Sequence, residues 1–291
     1  MTSPISDLVL GLPSPLEEPA DDRARAAGVR LLLKRDDLIH PDLPGNKWRK
    51  LKHNLAAAAA GGSGTLLTFG GAYSKQILAT AAAGHHFGFA TIGVVRGEEH
   101  APLNPVLARA CELGMTIAYV DRAQYRNRAD PAFLRRLRRE FGPFFVIPAG
   151  GANPEGVRGC AELPAEITEP YDVICCSSGT GTTLAGIAAG LPPGRTAIGF
   201  AALKGDFLAG DVAALQRAYG RTTANWSIEP EFHFGGFARR TADIDAFAAD
   251  FVSRHGIELD PVYEAKMMAG IMTLLDRGRW AAGTTVVAVL G

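Results

Sequence analysis

The chain has 291 residues, 47% of them hydrophobic, with 30 basic and 30 acidic residues that cancel to a formal net charge of zero. That length holds one large domain or two ordinary ones with a sizeable core. The balanced charge excludes the electrostatic footprint of a nucleic-acid binder or an anionic-membrane binder. Arg135-Arg136-Leu137-Arg138-Arg139, the nearest approach to a basic block, falls in a predicted helix beside Glu140 and reads as a solvated face. Cys111, Cys160, Cys175 and Cys176 have no metal-site or disulfide spacing, and Cys175-Cys176 reads as a pair of small core residues in a reducing compartment. Met1-Thr2-Ser3-Pro4 opens no signal-like segment, and no apolar run reaches the roughly twenty residues of a membrane span, so a soluble, cytoplasmic protein is expected.

Residues up to about Gly28 are rich in Pro, Asp and Glu and are expected to wander over the surface. Val29 to Lys34 reads as the first strand, and the Pro41 to Gly45 loop then delivers the chain to Asn46, a good helix N-cap. From Lys47 the pattern is helical, with Trp48, Leu51 and Leu55 on one stripe and the run Ala56 to Ala60 ending at Gly61-Gly62. Lys47 and Lys50, three residues apart, lie on adjacent parts of one face, so each ammonium depresses the pKa of the other.

Strand Thr65 to Phe69 runs into Gly70-Gly71-Ala72-Tyr73-Ser74 and a helix through Ala83, a corner suited to anions. Strands at 91–95, 116–120 and 144–147 then alternate with helices at 105–113 and 131–141, implying a parallel sheet covered on both faces. A second glycine-rich loop, Pro148 to Pro154, leads into a helix reaching about Ile167. The strand Asp172 to Cys176 leads to Ser177-Ser178-Gly179-Thr180-Gly181-Thr182-Thr183, which opens another helix. A strand at 197–201, helices at 212–219, 244–255 and 262–275, and a closing strand 285–290 complete the reading.

The loop Gly179 to Thr183 lacks the third glycine of a dinucleotide fingerprint and the Lys-Ser/Thr of a Walker A loop. It also lacks the Gly-x-Ser-x-Gly of a nucleophile elbow. What remains is a short cradle of N–H groups and hydroxyls suited to one phosphate monoester, although such a loop is equally a structural turn. Taken singly, Ser74 is an N-cap and Tyr263 an aromatic at a helix start. His85-His86 has no i, i+4 partner and reads as a surface pair, so no metal is expected.

Together the stretches LKRDDL, GNKWRKLK, TLLTFGGAYS, IPAGGANPEG, SSGTGTTLAG and LDPVYEAKMMAGI resemble, in order and wording, one family over nearly the whole chain. It is the fold-type II pyridoxal-phosphate family that contains 1-aminocyclopropane-1-carboxylate deaminase and D-cysteine desulfhydrase. The resemblance implies an α/β protein of two domains, each an open, mostly parallel sheet covered by helices, as in tryptophan synthase β. The larger, cofactor-binding domain is expected to comprise 1–52 and 150–291, and the smaller 53–149. Lys47 matches the Schiff-base lysine and Lys50 a lysine near the phosphate. Gly179, Thr180, Gly181, Thr182 and Thr183 match the phosphate cradle. Ser74 matches a substrate-contacting serine with nucleophile or proton-transfer roles, Tyr263 a tyrosine near the cofactor ring, and Lys75 and Gln76 share the substrate-facing stretch with Ser74. The implied reaction converts a small amino acid to a 2-oxo acid and ammonia. D-cysteine-like β-elimination is preferred to cyclopropane opening, and a homodimer is the expected assembly.

Two departures accompany the resemblance. The family carries Asn after the serine where this chain has Lys75, which is expected to donate to the cofactor's ring hydroxyl, to offer a second amine, or to retune the ring by its charge. Relatives also continue beyond the final strand into a turn that approaches the ring nitrogen, whereas this sequence stops at Gly291. From these comes a second expectation of a different class, a cofactor-binding homologue with altered or silent catalysis.

Overall fold

A computed structural model describes residues 8–43, 45–99 and 101–291; the reading of the first four residues, and Pro44 in the loop before Gly45, lie outside the described residues. The elements run β1 (Leu16–Glu17), α1 (Asp22–Ala26), β2 (Arg30–Arg35), α2 (Asn46–Ala60), β3 (Thr65–Gly71), α3 (Lys75–Phe87), β4 (Ala90–Arg96) and α4 (Pro105–Glu112). They continue with β5 (Met115–Val120), α5 (Arg122–Arg126), α6 (Pro131–Phe141), β6 (Phe145–Ile147), α7 (Pro154–Ala161), β7 (Val173–Ser178), α8 (Thr182–Gly190) and β8 (Thr196–Ala201). The chain closes with α9 (Phe207–Tyr219), β9 (Trp226–Glu229), α10 (Ala242–His255), α11 (Glu264–Asp276) and β10 (Thr285–Leu290).

Two sheets result. One has the order β1-β2-β10-β7-β8-β9, and the other β5-β4-β3-β6. Every pairing is parallel except that of β1 with β2. Because side chains alternate across a strand, a sheet buried on both faces makes two cores from one apolar run. In the larger sheet Leu31, Leu33, Val173, Cys175, Val286 and Ala288 pack under α1, α10 and α11. Their neighbours Leu32, Ile174, Cys176, Val287 and Val289 pack under α7, α8 and α9. Cys175 and Cys176 therefore serve opposite cores as small apolar residues, and both are free thiols. The smaller sheet divides in the same way, with Leu66 toward α2, α3 and α4, and Leu67 and Phe69 toward α6.

Helix α2 belongs to both layers. Its Trp48, Leu51, Leu55 and Ala58 stripe is buried in the core of the smaller sheet, each large side chain contributing about 1.5–3 kcal/mol. Its other side meets α7, where a Cβ on Gly159 would lie 1.8 Å from the Arg49 carbonyl oxygen. The next interface, α7 with α8, is as close: a Cβ on Gly186 would lie 2.4 Å from Cys160 Cβ, and one on Gly190 would lie 2.0 Å from the Ala161 carbonyl oxygen.

The segment before Gly28 differs from its sequence reading. Ser14 and Asp21 are buried, with Ser14 Oγ donating to Asp36 Oδ1 at 2.6 Å and Asp21 capping α1. Polar anchoring to buried partners, which composition does not reveal, holds this stretch against the larger sheet.

Candidate active site

The turn before Lys47 is closed by the end of the chain. Gly45 has φ +58°, and a Cβ there would lie 2.3 Å from Gly291 Cα, so a side chain is excluded on both counts. Asn46, expected as N-cap, is instead the first residue of α2, and Gly45 occupies the cap without a side-chain bond. The Asn46 side chain turns toward β10, donating from Nδ2 to the Gly291 carbonyl oxygen at 2.6 Å and accepting from Lys47 Nζ. The amine of Lys47 thus meets a neutral acceptor rather than a carboxylate. Burial, then the charges of Lys50 and Lys75, hold its pKa well below the usual lysine range, against a weaker opposing pull from Asp260.

Lys50 is buried, and no carboxylate or hydrogen-bond acceptor faces its ammonium among the described residues; burial lowers its pKa. A buried cation without a counter-ion is costly, and the structure sets a glycine-rich corner beside it. A Cβ on Gly151 would lie 2.9 Å from Lys50 Cβ, and one on Gly150 would lie 2.6 Å from Thr180 Cγ2. The 149–151 turn is therefore wedged between Lys50 and the loop that opens α8. In that loop Gly181, at φ +77°, caps α8 without a side chain, and Thr180 Oγ1 and Thr182 Oγ1 are 3.0 Å apart. The first N–H groups of α8, together with the positive end of its dipole, are left for an external acceptor.

Ser74 caps α3, its Oγ accepting from the Ile77 N–H at 3.4 Å, so the hydroxyl proton is free for another partner. Gly70 admits it, since a Cβ there would lie 2.5 Å from Ser74 Oγ. Lys75 Nζ pairs with Asp260 Oδ2 at 2.9 Å, which the sequence reading did not foresee. Asp260 Oδ1 accepts from the N–H groups of Val262 and Tyr263 at 2.9 Å each, fixing the turn into α11. Glu264 accepts from Asp260 N–H at 2.8 Å and from Gly291 N–H at 2.6 Å. Polar contacts therefore run from Lys47 through Asn46, Gly291 and Glu264 to Asp260 and Lys75. Burial raises the Glu264 pKa, with Lys75 opposing.

Tyr263 joins this wall to the cradle, because a Cβ on Gly179 would lie 3.2 Å from its hydroxyl and ring edge. Burial first, and then Asp260, push the Tyr263 pKa to about 12. Gln76 is set apart: it is buried, its Nε2 reaches Thr80 Oγ1 at 3.5 Å, and its Oε1 has no partner among the described residues. Asn46, Asp260 and Glu264 were missed in the sequence. Nothing local marked them: Asn46 and Glu264 both bond Gly291, 245 and 27 residues away, and Asp260 pairs with Lys75 from another part of the chain.

Lys75 and Asp260 supply a testable balance of charge. Lys75→Met removes one of the ammonium groups that depress Lys47 and leaves Asp260 facing it, so the Lys47 pKa rises. The acidic limb of the pH–rate profile is expected to move to higher pH by about one unit. A profile that stays in place would mean that the Lys75 charge does not reach Lys47.

The profile of the family described as pyridoxal-phosphate dependent enzymes matches residues 10–291. A putative 1-aminocyclopropane-1-carboxylate deaminase of Pyrococcus horikoshii is 29% identical, over 88% of this chain and 82% of the relative. A D-cysteine desulfhydrase of Klebsiella pneumoniae is 27% identical, over 94% of this chain and 89% of the relative. The crystal structure of an ACC deaminase homologue superposes with a TM-score of 0.82 at 26% identity, covering 97% of this chain and 90% of that one. With the two helix-covered parallel sheets and a match that spans nearly all of the chain, this protein belongs to the pyridoxal-phosphate dependent enzyme family, in its fold-type II form.

Proposed function

We propose that the chain is a lyase or deaminase of small amino acids whose leading reaction is β-elimination from D-cysteine. One D-cysteine and one water give pyruvate, ammonia and hydrogen sulfide. In this reading Lys47 is the amine that joins the cofactor, while Lys50 and Gly179 to Thr183 hold its phosphate. The stretch Ser74 to Gln76 is the one that meets the substrate, through Ser74 and Lys75 with Gln76 buried behind them, and Tyr263 stands beside the ring. We also infer that 1–52 with 150–291, and 53–149, act as two units, a division that the two separate sheets support.

The observation that carries the reading is the state of Lys47, an amine with a strongly depressed pKa, bonded to a neutral amide and flanked by Lys50 and Lys75. A neutral amine can accept the proton from the substrate Cα; an ammonium cannot. The unpaired Lys50, the open N-terminus of α8 and the bare glycines 150, 151 and 179 fit a terminal phosphate beside it. Bound there, pyridoxal phosphate supplies an electron sink for negative charge at Cα. Tyr263, protonated at neutral pH, has a hydroxyl proton to donate. The free Ser74 proton is available for the substrate carboxylate or the departing group.

The test is turnover of purified protein loaded with pyridoxal phosphate on D-cysteine, L-cysteine and 1-aminocyclopropane-1-carboxylate. Equal amounts of sulfide and pyruvate from D-cysteine are expected. Production of 2-oxobutanoate from the cyclopropane substrate in preference to sulfide overturns the elimination. Stable cofactor binding with no turnover of any substrate overturns the lyase reading and leaves a binding protein.

The cradle yields a separate prediction. Gly150→Ala forces an L side chain into positive φ, at about 1–2 kcal/mol, and pushes on Thr180. Cofactor affinity, read by absorbance titration, is expected to fall about tenfold, equivalent to ~1.4 kcal/mol, while the protein stays folded by circular dichroism. Unchanged affinity would place the phosphate away from Thr180.

A further inference from the structure

Outside the candidate active site, one trio of potential metal ligands assembles among the described residues: His40, Asp42 and His86. We propose that these three side chains bind a divalent transition metal of the Zn²⁺ class, which clamps the loop leading into α2 against the C-terminal end of α3. One ring nitrogen from each histidine and one carboxylate oxygen lie within 4.8 Å of one another, and His86 Nε2 is 3.0 Å from Asp42 Oδ2. The two imidazole rings stand edge to face, with centroids 5.3 Å apart and planes at 82°, so both can aim a nitrogen at one point.

Tetrahedral zinc with bonds of about 2.0–2.1 Å separates its ligand atoms by roughly 3.3 Å. With its ligand atoms within 4.8 Å of one another, the trio has to close by no more than about 1.5 Å to reach that spacing. Two imidazoles with one carboxylate suit zinc-class metals rather than magnesium or calcium, and they leave a fourth position for water.

Charge and surroundings agree with a cation. His86 lies in the last turn of α3, where the helix dipole is negative. His40 Nδ1 now accepts from the Asp42 N–H at 3.1 Å. A ligating His40 gives up that contact, either by offering Nδ1 or by moving its proton there to free Nε2, and water replaces it in the half-exposed loop. The opposing charge is Arg109, 4.0 Å from Asp42 Oδ1, and it is shared with Glu112 at 3.1 Å. His85, its ring 5.5 Å from that of His86, is exposed at the rim.

Roughly 18 Å of helix separates His86 from Ser74 at the other end of α3. A metal here does no chemistry on the amino-acid substrate. It braces both the loop that ends at Gly45 and Lys47 and the helix that carries Ser74.

Isothermal titration of the chelator-stripped, cofactor-loaded protein with ZnCl₂ tests the site, alongside thermal unfolding. One zinc per chain and a Tm raised by several degrees are expected. His86→Ala and Asp42→Asn should each weaken binding at least tenfold and remove the rise in Tm. Cys111→Ser, which deletes the exposed thiol, should bind as the unsubstituted chain does. Should His86→Ala fail to fold, His40→Gln takes its place. Absence of zinc binding, binding that survives both ligand substitutions, or binding lost with Cys111 overturns the proposal.

Discussion

Lys47→Ala is expected to abolish borohydride-fixed cofactor on the 45–52 peptide and to lower 2-oxo acid production by about 10²–10⁴-fold or more. The folded protein should survive the change. Among the described residues the Lys47 amine makes a single hydrogen bond, to Asn46, and carries the burden of a buried amine between two other lysines. Its removal relieves that burden, so the Tm of the cofactor-free variant should match or exceed that of the unsubstituted chain. Peptide mapping after reduction also decides between amines. Label on Lys75 in the unsubstituted chain would overturn the assignment of Lys47, and the contact of Lys75 Nζ with Asp260 Oδ2 at 2.9 Å argues against that outcome because it engages the Lys75 amine elsewhere. Retention of the visible cofactor band in Lys47→Ala, with activity intact, would sink the proposed chemistry as a whole.

Arg49→Ala is expected to destabilise the protein by about 3–5 kcal/mol, a fall in Tm on the order of 10 °C. Arg49 Nε and Nη2 donate to the two oxygens of Asp36 at 2.6 and 2.7 Å, and Nη1 and Nη2 donate to Glu166 at 2.7 and 2.9 Å. Asp36 has no exposed surface at all. Without Arg49 its carboxylate keeps, among the described residues, only the Ser14 hydroxyl and the cost of desolvation goes unanswered. Glu166 would retain Lys34 at 3.1 Å. Chemical denaturation measures the loss, and a change below about 1 kcal/mol would show that the network is a surface-like pair.

The same cluster sets a direction for acid unfolding. Burial raises the Glu166 pKa, but Arg49 and Lys34 outweigh it and leave it below the ordinary glutamate value of 4.5. Glu162, held by Lys52 and His53, and Asp21, held by backbone N–H groups and Arg254, are lowered as well. A folded-state pKa below the unfolded one means that the stabilisation is complete above the unfolded value. It is lost as the pH falls through the depressed folded values, so unfolding should set in below about pH 4.5.

The network also has a functional side. Arg49 lies between Lys47 and Lys50 on α2, and its carbonyl is the group that Gly159 of α7 approaches. The helix that presents both lysines is therefore pinned by ion pairs on one side, by glycine contacts with α7, and by the Trp48 stripe toward the smaller sheet. Small shifts of α2 are resisted from three directions, the property a positioned amine needs.

Local features were legible where one stretch of chain determines its own conformation. Helix 131–141 was readable to the residue, because Asp130 caps it, Pro131 opens it and Gly142 ends it. The start of α9 was not: its N-cap Asp206 makes no side-chain bond, so no local signal marks Phe207 as its beginning. The five-residue helices α1 and α5 and the four-residue β9 are too short for apolar periodicity to register. Of the site, the glycine turn before Lys47, the Lys47–Lys50 spacing and the Gly179 to Thr183 loop are each contained within a few residues. What surrounds them is not.

Sequence alone determined the alternation of strand and helix, the two-sided burial of the strands and the wording of the loops, because side-chain period and turn chemistry act between neighbours. Only the tertiary structure decided that β10, last in the chain, lies at the centre of the larger sheet and brings Gly291 against Gly45 and Asn46. It also decided that Asp260 takes up Lys75, that Lys50 is buried without a counter-ion among the described residues, and that His86 meets His40 and Asp42. Each of these depends on groups far apart in the chain, whose meeting is set by sheet order and helix packing rather than by any local preference.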